Sequence, residues 1–269
     1  MSSLQSRVLV AVIGVPVLVW VVLFAPTFVM AAALALLAGI GALELQKCVG
    51  VGNKDQALQD LSFVSGAAVV VWQAWYPDYM AIPLVVLVIS IFTYGIAKAG
   101  TVHFAQLMAA SFGGIAIGYS FAVFLRLYAS GIHRAYLLLP FLLSFACDTF
   151  AYFAGRAFGK HKLAPKVSPK KTVEGSIGGM AGNVVFGSAF AFVMDRWFGG
   201  SIGYGAMAVL ALACSIVAQI GDLSFSLIKR EYGIKDYGRL FLEHGGVLDR
   251  FDSVLFVTPV IEIILNLVR

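Results

Sequence analysis

Charge is what this sequence has least of. Only 12% of its 269 residues are Asp, Glu, Lys or Arg, while 60% are hydrophobic; an ordinary soluble domain carries roughly a quarter charged residues. That scarcity excludes water as the chain's main solvent. Cysteine is rare as well. Cys48, Cys147 and Cys214 lie in or beside apolar stretches without metal-ligand spacing, which excludes a disulfide framework and a zinc site. The alternating segments of about ten residues that build membrane β-barrels are missing. The first apolar stretch follows Arg7 but has no small-residue cleavage site after it, so it reads as a retained helix and not a removed signal peptide.

What is present is long apolar runs. A helix crosses ~30 Å of hydrocarbon with about 20 residues at ~1.5 Å each. Nine segments suit this: 8–24, 27–45, 61–76, 79–97, 104–127, 135–158, 176–198, 203–228 and 253–268. The expected fold class is all-α, a polytopic integral membrane bundle of about nine transmembrane helices. Lys and Arg are retained on the cytoplasmic side of short loops. With the N-terminus inside, only Arg126, Arg134, Arg196 and Arg269 of the 19 basic residues fall outside. A cytoplasmic N-terminus follows, and basic cytoplasmic loops account for the net charge of +5 without any nucleic-acid partner.

Polarity is distributed unevenly, and the chain divides accordingly. Residues 1–130 are transmembrane helices of unassigned role. Residues 131–269 are the expected catalytic transmembrane region, for the acids and loops described next, with two cytoplasmic loops, 155–175 and 229–252. In the first part Glu44 stands out, and the plain reading is that it snorkels or pairs with Lys47. Gly114 and Gly118, and Gly178 and Gly182, form GxxxG pairs that permit close helix contact. In the second part Asp148 and Asp222 lie within apolar segments. A carboxylate at that depth costs at least ~2.5 kcal/mol on insertion scales, so it marks a functional site by default.

The loop 155–175 carries Lys160, Lys162, Lys166, Lys170 and Lys171. Ser168 before Pro169 has the form of an N-cap followed by proline at the first helical position. A helix starting there would aim N–H groups at an anion beside Lys170, Lys171 and Thr172, a phosphate-binding arrangement. The alternative is an anchor for anionic lipid heads. Further on, Asp222, Ser226 and Lys229 fall on one helix face with Arg230 beside them; an ion pair within the bundle is the alternative. Asp249 and Asp252, three residues apart, open the last helix where its dipole favours negative charge. Simple capping would explain one of them. Such carboxylates suit Mg2+, which takes one or two of them plus substrate phosphates. Ringed by cations, they fit phosphoryl or nucleotidyl transfer.

The chain resembles the phosphatidate cytidylyltransferase, or CDP-diacylglycerol synthase, family. The resemblance rests on Ser226, Lys229-Arg230, Lys235-Asp236, Gly238, Phe241, His244-Gly245-Gly246, Asp249-Arg250 and Asp252, and upstream on Asp148, Gly155, Gly159, Pro165, Ser168-Pro169, Lys171-Thr172 and Glu174-Gly175. Leu242 stands where the family usually has Pro or Gly. The resemblance implies that CTP and phosphatidate give CDP-diacylglycerol and pyrophosphate, with Mg2+ required and a second cation allowed for. Asp222, Asp249, Asp252 and Asp148 are the expected catalytic and metal-binding residues. Lys166, Ser168, Lys171, Thr172, Ser226, Lys229, Arg230, Lys235, His244, Gly245, Gly246 and Arg250 are expected to bind substrate. The expected partners are CTP, phosphatidate and the lipid bilayer, with a homodimer as the assembly to consider and no nucleic acid. The active site is expected at the cytoplasmic face, where cysteines placed at Ser226 and Ser253 should be open to water. A CTP-dependent lipid-alcohol kinase and a cation-coupled secondary transporter are the competing functions.

Overall fold

The computed structural model describes residues 3–52, 54–199, 202–241 and 245–268, with side chains from residue 12 onward. All nine apolar segments are helical in it. In chain order they are α1 (Ser3–Leu23), α2 (Thr27–Val49), α3 (Gln56–Trp75), α4 (Ala81–Ala97), α5 (Phe104–Phe112), α6 (Tyr119–Ala129), α7 (Leu139–Phe158), α8 (Val173–Phe198), α9 (Tyr204–Glu231) and α10 (Leu248–Val268). A π turn, Gly113–Gly118, runs α5 into α6 as one length of helix. Among the described residues six stretches are long and apolar enough to span a bilayer: Thr27–Val49, Phe104–Ala129, Arg134–Phe158, Val173–Phe198, Tyr204–Glu231 and Leu248–Val268. Val12–Leu23 and Ala81–Ala97 are shorter apolar helices. An all-α membrane bundle is thus the observed class.

The chain divides into two units, Met1–Leu137 with Lys229–Phe251, and Leu138–Ile228 with Asp252–Arg269. In the first unit small residues bring backbones together, as membrane helices require when no hydrophobic force separates lipid from protein. A methyl on Gly66 would lie 2.6 Å from the Ala38 carbonyl of α2, and one on Gly118 would lie 2.9 Å from the Gly66 carbonyl of α3. Leu58, Ile91, Leu107 and Ala110 form a core where α3, α4 and α5 meet. Asp55 caps α3 through Leu58 N at 3.0 Å and accepts the Tyr94 hydroxyl at 2.7 Å. That hydroxyl holds its carboxyl below the usual range. Arg134 donates to the Leu23 and Ala25 carbonyls at 3.0 Å each and to the Tyr128 hydroxyl at 3.0 Å. It thereby satisfies carbonyls left without partners where α1 ends.

In the second unit α7 and α8 pack through glycine. A methyl on Gly178 would overlap Ala154, and one on Gly182 would overlap the Phe150 ring. Asn183 donates to Ser215 Oγ at 2.8 Å, joining α8 to α9. Ser253 Oγ donates to the Ala218 carbonyl at 3.1 Å, joining α9 to α10.

The segment between α7 and α8 departs from expectation. Instead of a helix beginning at Ser168, two short strands, β1 (Lys162–Ala164) and β2 (Ser168–Thr172), pair antiparallel with Lys162 opposite Thr172 and Ala164 opposite Ser168. Thr172 is the actual cap of α8: its hydroxyl accepts from Gly175 N at 3.1 Å, with the backbone extended at φ −125°. Pro169 suits this equally well, because a two-stranded ribbon has open edges that tolerate a residue with no N–H. Glu174 closes the ribbon onto α8, accepting from Lys160 N at 3.0 Å and pairing with His161 Nδ1 at 2.6 Å.

Candidate active site

Of the expected acids, Asp148, Asp222 and Asp252 belong to the unit of Leu138–Ile228 with Asp252–Arg269, and Asp249 belongs to the other. In Leu138–Ile228, β2 presents successive side chains to opposite sides. Lys170 is exposed while Lys171 is half-buried and forms an ion pair with Asp222 of α9. The pair remains partly open, at 27% exposure for Lys171 and 23% for Asp222. Asp148 of α7 is uncovered by protein and lies within the field of the Lys171 ammonium. One cation therefore answers to two carboxylates. Ser226 is half-buried one turn beyond Asp222 on α9. Thr172 is engaged as the α8 cap and Ser168 opens β2, while Lys166 is exposed in the turn between the strands.

In the other unit the centre is Asp249, whose side chain is only 3% exposed. Its Oδ1 accepts from Lys229 Nζ at 2.9 Å, and its Oδ2 accepts from Tyr237 N at 2.7 Å and Gly246 N at 3.0 Å. Lys229, 12% exposed, also lies 5.5 Å from the centroid of the Tyr237 ring. Asp222 and Lys229 share α9 as expected, but each bonds to a different partner. Arg230, Lys235 and Arg250 are exposed. Asp252, which belongs to the unit of α7 and α8, is half-buried on the first turns of α10 and accepts from Ser253 N at 2.7 Å. Gly245 has φ +84°, and a side chain there would lie 2.7 Å from Asp249 Oδ2. His244 lies outside the described residues, as does Leu242.

Two expectations are corrected. Glu44 does not find its partners in Lys47. It is 6% exposed, and its two oxygens accept Val247 N at 3.0 Å and Leu248 N at 2.9 Å at the start of α10. Ser253 is 3% exposed and bonded to Ala218, so a cysteine there would be closed to water.

The sequence profile of the cytidylyltransferase family matches residues 5–268. The chain belongs to the cytidylyltransferase family. The phosphatidate cytidylyltransferase of Staphylococcus saprophyticus is 35% identical over 195 residues, 71% of this chain and 72% of that protein. Those of Staphylococcus haemolyticus and Staphylococcus aureus are 40% identical over 149 residues. These last two alignments span 55% of this chain and 55% of each relative.

Among the described residues of this cytidylyltransferase chain, no three His, Cys, Asp or Glu side chains stand together as a ready-made metal cluster. Mg2+ does not need one, since one or two carboxylates and substrate phosphates are its usual ligands. The hard oxygens of Asp222 and Asp148, beside the one ammonium of Lys171, are of the kind that fits it. Asp249 is more fully engaged, with three donors on its two oxygens. Glu44 is the residue that sequence reasoning missed. One signal was legible: Gly245, Gly246 and Val247, just ahead of α10, have no side chain able to cap it.

Proposed function

We propose that this chain is a phosphatidate cytidylyltransferase: it transfers CMP from CTP to phosphatidate, giving CDP-diacylglycerol and pyrophosphate. The observation that carries this reading is the family match across residues 5–268, which takes in every acid and every basic loop described above. A phosphate monoester has its second pKa near 6, so phosphatidate is largely dianionic at neutral pH and needs no general base. Its phosphate oxygen attacks the α-phosphorus of CTP, a new P–O–P bond forms, and pyrophosphate leaves with the electron pair of the broken bond.

The main obstacle is bringing two anions together. Unit charges 4 Å apart repel by about 4 kcal/mol at an effective dielectric of 20. Lys171 can exchange Asp222 for a phosphate oxygen, which neutralises the nucleophile or the triphosphate without unfolding anything. Lys166, Ser168, Thr172, Ser226, Lys229, Arg230, Lys235, His244, Gly245, Gly246 and Arg250 are the other proposed substrate contacts. Asp222, Asp249, Asp252 and Asp148 are the proposed holders of Mg2+ and a second cation. Bound Mg2+ would supply charge neutralisation at the triphosphate and at the departing pyrophosphate. The excess of Lys and Arg in the inside loops supports a site at the cytoplasmic face. A homodimer is kept as the assembly that cross-linking in detergent should test.

Purified protein should release pyrophosphate, and form CDP-diacylglycerol, only when CTP, phosphatidate and Mg2+ are all supplied. Release of CDP with a lipid alcohol as acceptor would replace this reading with that of a kinase. Cation-driven uptake without CTP would replace it with a transporter.

A further inference from the structure

We propose that Glu44 is a positioning residue for the transfer reaction: it is the cap of α10, supplied by α2, and it fixes the backbone that carries Asp249. The inference rests on the cytidylyltransferase reading above and assigns a task to the N-terminal helices. An α-helix begins with N–H groups that have no partner within the helix, and a local Ser, Thr, Asp or Asn normally accepts one of them. Ahead of Leu248 stand Gly245, Gly246 and Val247, none with an acceptor. The acceptor comes instead from a residue 203 positions earlier in the chain.

The arrangement is specific to a carboxylate. Both Glu44 oxygens are used, Oε1 by Val247 N and Oε2 by Leu248 N. Asp249 then takes the preceding N–H, that of Gly246. Three successive backbone N–H groups are thus divided between two acids, and the conformation of this turn determines where the Asp249 carboxylate points.

The space around Glu44 is shaped to match. A methyl on either Gly238 or Gly246 would overlap its carboxylate. One turn earlier on α2, a methyl on Gly41 would already lie 3.3 Å from Leu248 Cδ2, so α2 is in close contact with the start of α10. An acid that merely snorkelled would not need glycine at the positions facing it. The second glycine of the His-Gly-Gly run is therefore accounted for by a residue far outside the motif.

The test uses the full-length chain in detergent, with Glu44→Gln as the main variant. Gln keeps the size but turns an NH2 toward an N–H that needs an acceptor. Two readouts are taken: pyrophosphate release from CTP and phosphatidate, and hydrogen exchange at the amides of residues 246–248. Glu44→Gln should retain helix content and elution volume and exchange faster at 246–248. Its kcat should fall about a hundredfold, the effect of a reacting group misplaced by ~1 Å, with both KM values within about threefold. Gly246→Ala, which forces the carboxylate out of its slot, should reproduce the pattern.

A folded Glu44→Gln protein with wild-type kcat overturns the proposal. So does a loss of activity that only tracks a loss of folded protein. If the Gln variant does not fold, Glu44→Asp decides by the same criteria, because it keeps the charge but withdraws it by one methylene. A wild-type chain that releases no pyrophosphate would overturn the cytidylyltransferase reading instead. In that case unchanged exchange at 246–248 in Glu44→Gln would separately overturn the cap.

Discussion

Asp222 and Asp249 are both aspartates paired with lysine, yet burial gives the two pairs different consequences. The Lys171–Asp222 pair is about a quarter exposed on each side. Pairs in contact with solvent contribute about 0–1 kcal/mol to stability. Lys171→Ala should therefore melt within about 1 kcal/mol of wild type and still raise the KM for CTP or phosphatidate. If both KM values and kcat stay at wild type, Lys171 has no phosphate role and the lipid-anchor reading holds for it. The Lys229–Asp249 pair is far more enclosed, at 12% and 3%. Removing one partner of a buried pair costs roughly 3–5 kcal/mol, because it strands the other charge. Asp249→Asn should thus lower thermal stability as well as turnover, whereas Asp222→Asn should lower turnover alone. Equal melting temperatures for the two variants would refute the distinction. The sequence marks both aspartates as candidates but does not rank them, since the ranking depends on which donors the fold brings to each.

At the scale of elements, legibility followed the range of the forces. Each apolar helix carries its own signal in its run of apolar residues: all nine runs are helical, and among the described residues six stretches are long and apolar enough to cross a bilayer. The 168–172 segment is extended and not helical because two helix-start signals compete there. Ser168-Pro169 fits an N-cap, but Thr172 supplies the cap four residues later, and pairing with Lys162–Ala164 stabilises the extended form between them. Glu44 stands out in the sequence, but its partners do not, because they lie 203 and 204 residues further along the chain. The GxxxG pairs permit close contact without naming a partner, and Gly178 with Gly182 is where α8 meets α7. That contact makes a prediction. Gly178→Leu drives a branched side chain into Ala154, and overpacking of this kind costs typically 1–3 kcal/mol. The apparent melting temperature in detergent should fall. Gly205→Ala, where a methyl meets nothing within 4 Å, should leave it unchanged or raise it slightly. Equal melting of the two variants would show that the α7–α8 contact tolerates separation.

For the whole molecule the decisive property is its orientation in the bilayer, because CTP reaches the protein only from water on one side. The proposed cytoplasmic site requires the 155–175 loop to face the cytoplasm and the segment between α6 and α7 to face the opposite side, as the charge asymmetry leads one to expect. The structure makes this testable with little background. Cys48, Cys147 and Cys214 are all buried, so a membrane-impermeant thiol reagent should label the wild-type chain weakly. Lys166, in the turn between β1 and β2, and Ser130, just past α6, are both exposed, and α7 separates them along the chain. They are better probes than Ser253, which is buried against Ala218. A helix of 20 residues rises about 30 Å at 1.5 Å each, enough to put its two ends in different aqueous compartments. In inside-out vesicles Lys166→Cys should label and Ser130→Cys should not; in right-side-out vesicles the pattern should reverse. If Lys166→Cys labels only from the outer side, the basic loops face away from cytoplasmic CTP and the proposed cytoplasmic site is wrong. If both positions label from one side, α7 does not cross the membrane, and the path assigned to Asp148 and Asp222 through the bilayer must be redrawn.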